Sequence, residues 1–183
     1  MKKLMLLVLP LVLSACGYNT IQTMDETAAA ARQQIEVQLQ RRADLVPNLV
    51  STVKGYAAQE ETIFTEVANA RARLAGSVSG GNMTEMADAN QAMTGALGRL
   101  LVITENYPQL KSDQNFLRLQ DELTGTENRI AVSRTDYNNS VRDYNAYIRK
   151  FPAVLTAKVT GAKSREYFEV TNAANREAPK VAF

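Results

Sequence analysis

The residue with the clearest chemistry is Cys16, the single cysteine of the 183-residue chain. Lys2 and Lys3 precede an apolar run of about ten residues, half the roughly 20 that a membrane-spanning helix needs. Residues 13–16, Leu-Ser-Ala-Cys, have the form of a bacterial lipoprotein cleavage site. We expect residues 1–15 to be removed and palmitate-type acyl chains to be attached to Cys16. An ordinary secretory signal that leaves Cys16 as a free thiol is the alternative.

Two arginines form a second candidate site. Arg41, Arg42 and Asp44 lie immediately before Pro47 and Asn48. Such a cluster could recognise a partner protein or an anionic group, and Arg41 and Arg42 are the candidate partner-binding residues. In the alternative interpretation Asp44 and Asn48 cap broken helix ends, while the arginines are solvated or cover the seam with their stems.

A third polar stretch follows Gly125. A glycine within a helix costs about 1 kcal/mol relative to alanine, and Glu127, Asn128 and Arg129 come directly after this one. The pattern indicates close approach of another helix or a buried polar layer, and a solvated stretch is an equal alternative that the sequence does not exclude.

The residue inventory gives no support to catalysis. Histidine is absent, which excludes Ser-His-Asp and Cys-His arrangements and the Glu-x-x-His pattern of di-iron bundles. The chain offers no zinc ligand set and no phosphate-binding glycine motif. We therefore predict no catalytic residues, no metal, no cofactor and no enzymatic activity.

The charge balance excludes a general affinity for nucleic acid. The chain has 21 Lys and Arg against 19 Asp and Glu. Removal of the signal takes away Lys2 and Lys3, so the mature chain is neutral by this count. With no tryptophan and no basic stripe interleaved with aromatics, nucleic-acid binding is not expected. A lone cysteine also means that packing, without disulfides, holds the fold.

Helical periodicity runs through the remainder, because apolar residues recur every three or four positions. The four predicted stripes are Ile21 to Leu39, Leu45 to Leu74, Met86 to Ile103, and Phe116 to Ile148. We predict an all-α, antiparallel bundle of about four long helices with coiled-coil-like packing. A short apolar segment, Ala153 to Val159, and an irregular tail complete the chain.

The boundaries follow from helix-breaking and capping residues. We expect a kink or break at Pro47, a flexible connection over Gly76 to Gly81, and an N-cap at Ser112 or Asp113 for the longest helix. The predicted organisation is a signal peptide at 1–15, a lipid-anchored linker at 16–20, a helical domain at 21–160 and a tail at 161–183.

Several long motifs resemble the LemA family. They are QLQRRADLVPNLVSTVKGYA from Gln38, the segment from Glu105 to Asn145, REYFE from Arg165 and the closing PKVAF. The resemblance implies a membrane-attached helical bundle of bacterial envelopes without established enzymatic activity or agreed catalytic residues. Many members of the family look to be tethered by an N-terminal membrane helix. This chain has a lipoprotein signal instead, and so departs from that pattern.

These features together predict an envelope lipoprotein that acts as a helical scaffold or interaction module. Its expected partners are the membrane and an envelope protein such as a protease or transport component. It would lie on the exported side, at the inner leaflet of the outer membrane in a two-membrane cell. The alternative function is binding of anionic lipid headgroups through Lys158, Lys163 and Arg165 around the apolar segment.

Overall fold

The structure, a computed structural model, describes the backbone of residues 2–170 and the side chains of residues 17–170. All regular secondary structure in this part of the chain is helical, as predicted. The helices are α1 (Lys2–Lys54), α2 (Glu61–Gly80), α3 (Met83–Thr104), α4 (Pro108–Lys111), α5 (Gln114–Tyr147) and α6 (Ala153–Thr160).

These helices form two compact units. The first comprises α1 up to Gln34 together with Ser133–Tyr167, and the second comprises Ile35–Val132 and continues from Phe168. Helices α1 and α5 each contribute one part to each unit.

The core of the first unit joins the start of the described α1 to the end of α5 and to α6. Ile21, Tyr144, Ile148 and Ala157 are buried together. Met24, Tyr147 and Ala162 are partly buried against this core. The predicted stripes of the first and last long helices therefore supply this unit.

The second unit is built around helix packing between α2 and α3. Phe64, Val67 and Leu74 are buried on α2, and a row of methionines and leucines is buried on α3. From α1 and α5, the predicted core residues Leu49, Val53 and Ile130 are also buried. Leu123, which the same periodicity places in the core, is only partly buried.

A kink or a break is predicted at Pro47; helix α1 continues through this residue, so a break is wrong. Proline lacks the N–H that would bond to the carbonyl of Ala43, four residues earlier, and it normally kinks or ends a helix. Here the Arg71 side chain of α2 donates from Nε to that Ala43 oxygen at 2.8 Å. A neighbouring helix thus supplies the missing donor, and α1 ends only at Lys54.

Two helix connections differ from the prediction. The chain leaves helical structure over residues 55–60, inside the predicted second stripe, and resumes in α2. Helix α2 then includes most of the predicted flexible connection and ends at Gly80. Gly81 ends it with a left-handed φ of 73° and an N–H bond to the Ser77 carbonyl, a conformation that glycine adopts without strain.

The start of α5 confirms the predicted cap. Asp113 Oδ1 accepts a hydrogen bond from the Phe116 N–H at 2.9 Å. That bond is the principal reason why the pKa of Asp113 is lowered. With 34 residues α5 is nevertheless shorter than α1, which has 53.

The described start of the predicted tail lies against helices of the first unit. Tyr137 donates its hydroxyl to the Glu166 carbonyl at 2.8 Å. The Asn145 side chain bonds to both the N–H and the carbonyl of Arg165, each at 2.9 Å. Residues 171–183, including the closing motif, lie outside the described residues. Within the described part, no helix has the length and apolar character required to cross a membrane.

The Arg71 contact predicts a coupling between two positions distant in sequence. Arg71→Gln should lower the free energy of unfolding by about 1 to 3 kcal/mol, because the Ala43 carbonyl loses its donor. In a Pro47→Ala background the same change should cost less, since residue 47 then carries its own N–H. Denaturant unfolding of the four chains measures the coupling. Equal costs in both backgrounds would contradict this explanation of the continuous helix.

Candidate functional site

Arg42 lies at the centre of a polar cluster inside the second unit. Its side chain is 5% exposed. Nη1 donates to Asn90 Oδ1 at 2.6 Å, and Nη2 donates to Thr94 Oγ1 at 3.0 Å, both on α3. Nη1 also forms an ion pair with Glu127 Oε2 of α5. One guanidinium therefore links three helices of this unit.

The charges of this cluster are balanced within it. Burial lowers the pKa of Arg42, and the negative charge of Glu127 acts in the opposite direction. The Glu127 side chain is 43% exposed, but its Oε2 atom is buried beside the arginine. A buried charge of this kind requires a paired, hydrogen-bonded partner. The cluster is suited to fixing helices in register.

Arg41 has a different environment. Arg41 lies about 100° around the helix axis from Arg42, and its side chain is exposed. None of the described residues forms an ion pair or hydrogen bond with its side chain. The two arginines therefore do not form one surface cluster, because successive residues of a helix face different directions. Asp44 and Asn48 are likewise exposed on a continuous helix, so neither caps a helix end.

Sequence reasoning identified part of this cluster. Of the three polar residues after Gly125, only Glu127 enters the cluster, through its buried Oε2 atom, while Asn128 and Arg129 are exposed. Arg129 instead covers Gly125, where an added Cβ would lie 3.5 Å from Nη1. Asn90 and Thr94 carried no comparable signal, since isolated polar residues on an apolar stripe are ordinary in helices.

An apolar groove of ≈ 240 Å³ adjoins the Arg42 cluster. Leu49, Leu97, Leu101 and Leu123 line it together with Arg42 and Glu127. The groove explains why Leu123 is less buried than its periodicity predicts. It contains no nucleophile paired with a base, so its geometry favours contact with apolar groups over covalent chemistry.

A second polar cluster lies in the first unit. Arg165 Nε donates to Asp25 Oδ1 at 2.7 Å, and the guanidinium lies 6.0 Å from the ring centroid of Tyr144. The hydrogen bond from Arg165 is the main cause of the lowered pKa of Asp25, and burial opposes it. Arg165 is thus committed to a contact between the tail and α1. Of the three residues predicted to contact headgroups, only Lys158 and Lys163 remain exposed without a partner among the described residues.

The predicted lipidation site, Cys16, is adjacent in sequence to a described helix contact. The Cys16 side chain lies outside the described residues, but Gly17 is buried against α6. A Cβ added at Gly17 would lie 3.5 Å from Thr156 Oγ1 and 3.7 Å from Ala153 Cα. Across the described residues, no group of three or more His, Cys, Asp or Glu side chains is arranged to hold a metal ion.

Comparison with known proteins identifies the family. The model of the LemA family matches residues 31–183 of this chain. The chain belongs to the LemA family. The match covers most of the chain and includes all four motifs on which the resemblance was based.

This LemA family member is also similar to magnetosome proteins. Magnetosome proteins MamQ 1 and MamQ 2 of Paramagnetospirillum magneticum are each 33% identical to it over 177 residues, covering 83% of this chain. Magnetosome protein MamQ of Magnetospirillum gryphiswaldense is 33% identical over 174 residues, covering 82%. The matched part spans 64% of the length of each of these relatives.

The contrast between the two arginines predicts unequal costs of the same substitution. Arg42→Gln should lower the free energy of unfolding by about 2 to 4 kcal/mol, because it leaves the buried Glu127 oxygen without its cation. Arg41→Gln is the matched control and should change stability by less than about 0.5 kcal/mol. Denaturant unfolding gives both values. Similar small costs for the two variants would show that the Arg42 cluster does not fix the second unit.

The Asp25–Arg165 pair predicts a pH dependence. Because the pKa of Asp25 is lowered from its ordinary 3.8, its stabilising effect is present above that value and is lost as the pH falls through the lowered one. The pair is partly exposed, so Arg165→Gln should cost only about 1 kcal/mol at neutral pH.

Denaturant unfolding at a series of pH values tests this sign. The stability difference between the parent and Arg165→Gln should shrink as the pH falls below the ordinary pKa of Asp25. Arg142→Gln, which removes an exposed pair with Asp143 on α5, is the control. A difference for Arg165→Gln that grows at acid pH would contradict the assignment.

Proposed function

We propose that this LemA family member is an envelope lipoprotein, anchored through acylated Cys16, that acts as a helical scaffold or protein-interaction module. The observation that carries the proposal is that a buried charge, that of Arg42, holds helices together. Arg42 is paired with Glu127 and hydrogen-bonded to α3, so the most buried ionic group of the second unit joins helices. A scaffold needs such rigid helix faces, whereas an enzyme needs reactive groups open to substrate.

The family and the lipoprotein signal support a location at the membrane. Residues 13–16 provide the acylation site, and Gly17 begins the described packing one residue later. The helical body would therefore stand close to the bilayer on the exported side, at the outer membrane in a two-membrane cell. The relatives are named for a cellular structure, the magnetosome, and their names state no reaction.

Arg41 is the proposed point of contact with a partner protein. It is an exposed guanidinium without a partner among the described residues, on a helix that the neighbouring Arg42 fixes through its buried contacts. A guanidinium binds carboxylates through two parallel hydrogen bonds. The partner would therefore be an envelope protein that presents Asp or Glu to α1, a membrane protease or transport component being the proposed class.

Crosslinking in intact cells tests the partner contact. A carboxylate-to-amine crosslinker should join the protein to one envelope protein, identified by mass spectrometry. Arg41→Gln should weaken that crosslink by about tenfold, the factor that corresponds to a loss of about 1.4 kcal/mol.

The matched control is Arg118→Gln, which removes another exposed arginine of the second unit and should leave the crosslink unchanged. Equal crosslinking in the parent and both variants would exclude Arg41 as the contact. Absence of any discrete crosslinked protein would contradict the interaction-module proposal itself.

A second function, contact with lipid headgroups, is favoured by one specific observation. The basic residues of the last third of the chain include Lys158 on α6, which is exposed beside large apolar side chains. This combination is typical of helices that lie on a membrane surface.

A further inference from the structure

We infer that α6 and the residue pair before it form a membrane-contacting face, which seats the first unit on the bilayer beside the lipid anchor. The inference rests on the proposed anchoring at Cys16 and adds to it a second, non-covalent contact. Its basis is the juxtaposition of an outward-facing apolar row, unpaired lysines and the residue that follows Cys16.

In this segment the large apolar side chains face outward and the small ones are buried, which is the reverse of the usual arrangement. Phe151, Leu155 and Val159 are 81%, 56% and 89% exposed. Leu155 and Val159 are four residues apart on α6, which places them on one side of the helix, and Phe151 lies in the turn that precedes it. The buried side of α6 carries only the small residues Ala153, Thr156 and Ala157. A segment that faced water alone would bury its largest apolar groups instead.

Charge identifies the surface that would cover this row. From Tyr144 to Arg165 the chain contains five basic residues and no acidic one. Arg165 is paired with Asp25, but Lys150, Lys158 and Lys163 are exposed and have no partner among the described residues. Apolar side chains flanked by unpaired lysines complement a bilayer of anionic lipids, which receives both the apolar groups and the positive charges.

The proposed anchor at Cys16 lies close to this face. Gly17 is buried, and a Cβ added to it would lie in van der Waals range of Ala153 and Thr156 on α6. One residue spans about 3.8 Å, so acyl chains on Cys16 would enter the bilayer within a few ångströms of this contact. The buried side of α6 faces α1, and its exposed side is left to meet the lipid. The two contacts would bind cooperatively, because anchoring raises the effective concentration of the face at the membrane.

A single labelled cysteine tests the inference on the full lipidated protein. Since Cys16 is the single native cysteine and would be acylated, Leu155→Cys provides the one free thiol for an environment-sensitive fluorophore. The labelled protein is reconstituted into vesicles of phosphatidylethanolamine and phosphatidylglycerol that contain a lipid with a nitroxide on its acyl chain. We expect strong quenching at position 155.

Val132→Cys is the matched control, because Val132 is an apolar residue of α5 that is 61% exposed, comparable to Leu155. Quenching at 155 that does not exceed quenching at 132 would overturn the inference. Protection of the 155 probe from soluble iodide without quenching by the lipid nitroxide would also overturn it, since a protein surface would then cover the row.

Charge removal provides an independent readout. Lys150→Gln and Lys158→Gln should each lower the ratio of seated to unseated protein by about fivefold, and replacing phosphatidylglycerol by a neutral lipid should have the same effect. Unchanged quenching after either change would remove the electrostatic part of the inference. Failure of the anchor itself is distinguishable, because Cys16 would then be labelled as well and the protein would leave the vesicles.

Discussion

The continuity of α1 is the constraint on which both units depend, because each of them is built partly from this helix. Pro47 would ordinarily interrupt it, since proline removes a backbone donor and crowds the preceding turn. The hydrogen bond from Arg71 to the Ala43 carbonyl supplies a substitute donor from α2. One side chain of a neighbouring helix thus allows α1 to continue without interruption from Gly17 to Lys54.

The buried and partly buried charges serve a common purpose in the two units. Arg42 links α1 to α3 and α5 in the second unit, and Arg165 links the tail to α1 in the first. Each arginine has several directed donors, so it specifies helix register more sharply than apolar packing does. Arg41 and the lysines near α6 remain exposed and are available for partners.

Periodicity was sufficient to predict the helical class and most of the core, because a helix must bury one stripe of its surface. The prediction failed where a distant residue decided the outcome. The break at Pro47 depended on Arg71, and the burial of Arg42 depended on Glu127. The apolar segment at 153–159 was recognisable in sequence, but only the contact of Gly17 with α6 revealed which side of it remained exposed.

Anchoring at Cys16 is the central claim, because the proposed location, the scaffold role and the seating of α6 all rest on it. The most direct test is intact-mass and N-terminal peptide analysis of the protein purified from the membrane fraction. We predict a chain that begins at Cys16 and carries a diacylglyceryl group on its sulfur and an acyl group on its amino terminus. A chain that retains residues 1–15, or one with an unmodified Cys16, would contradict this prediction.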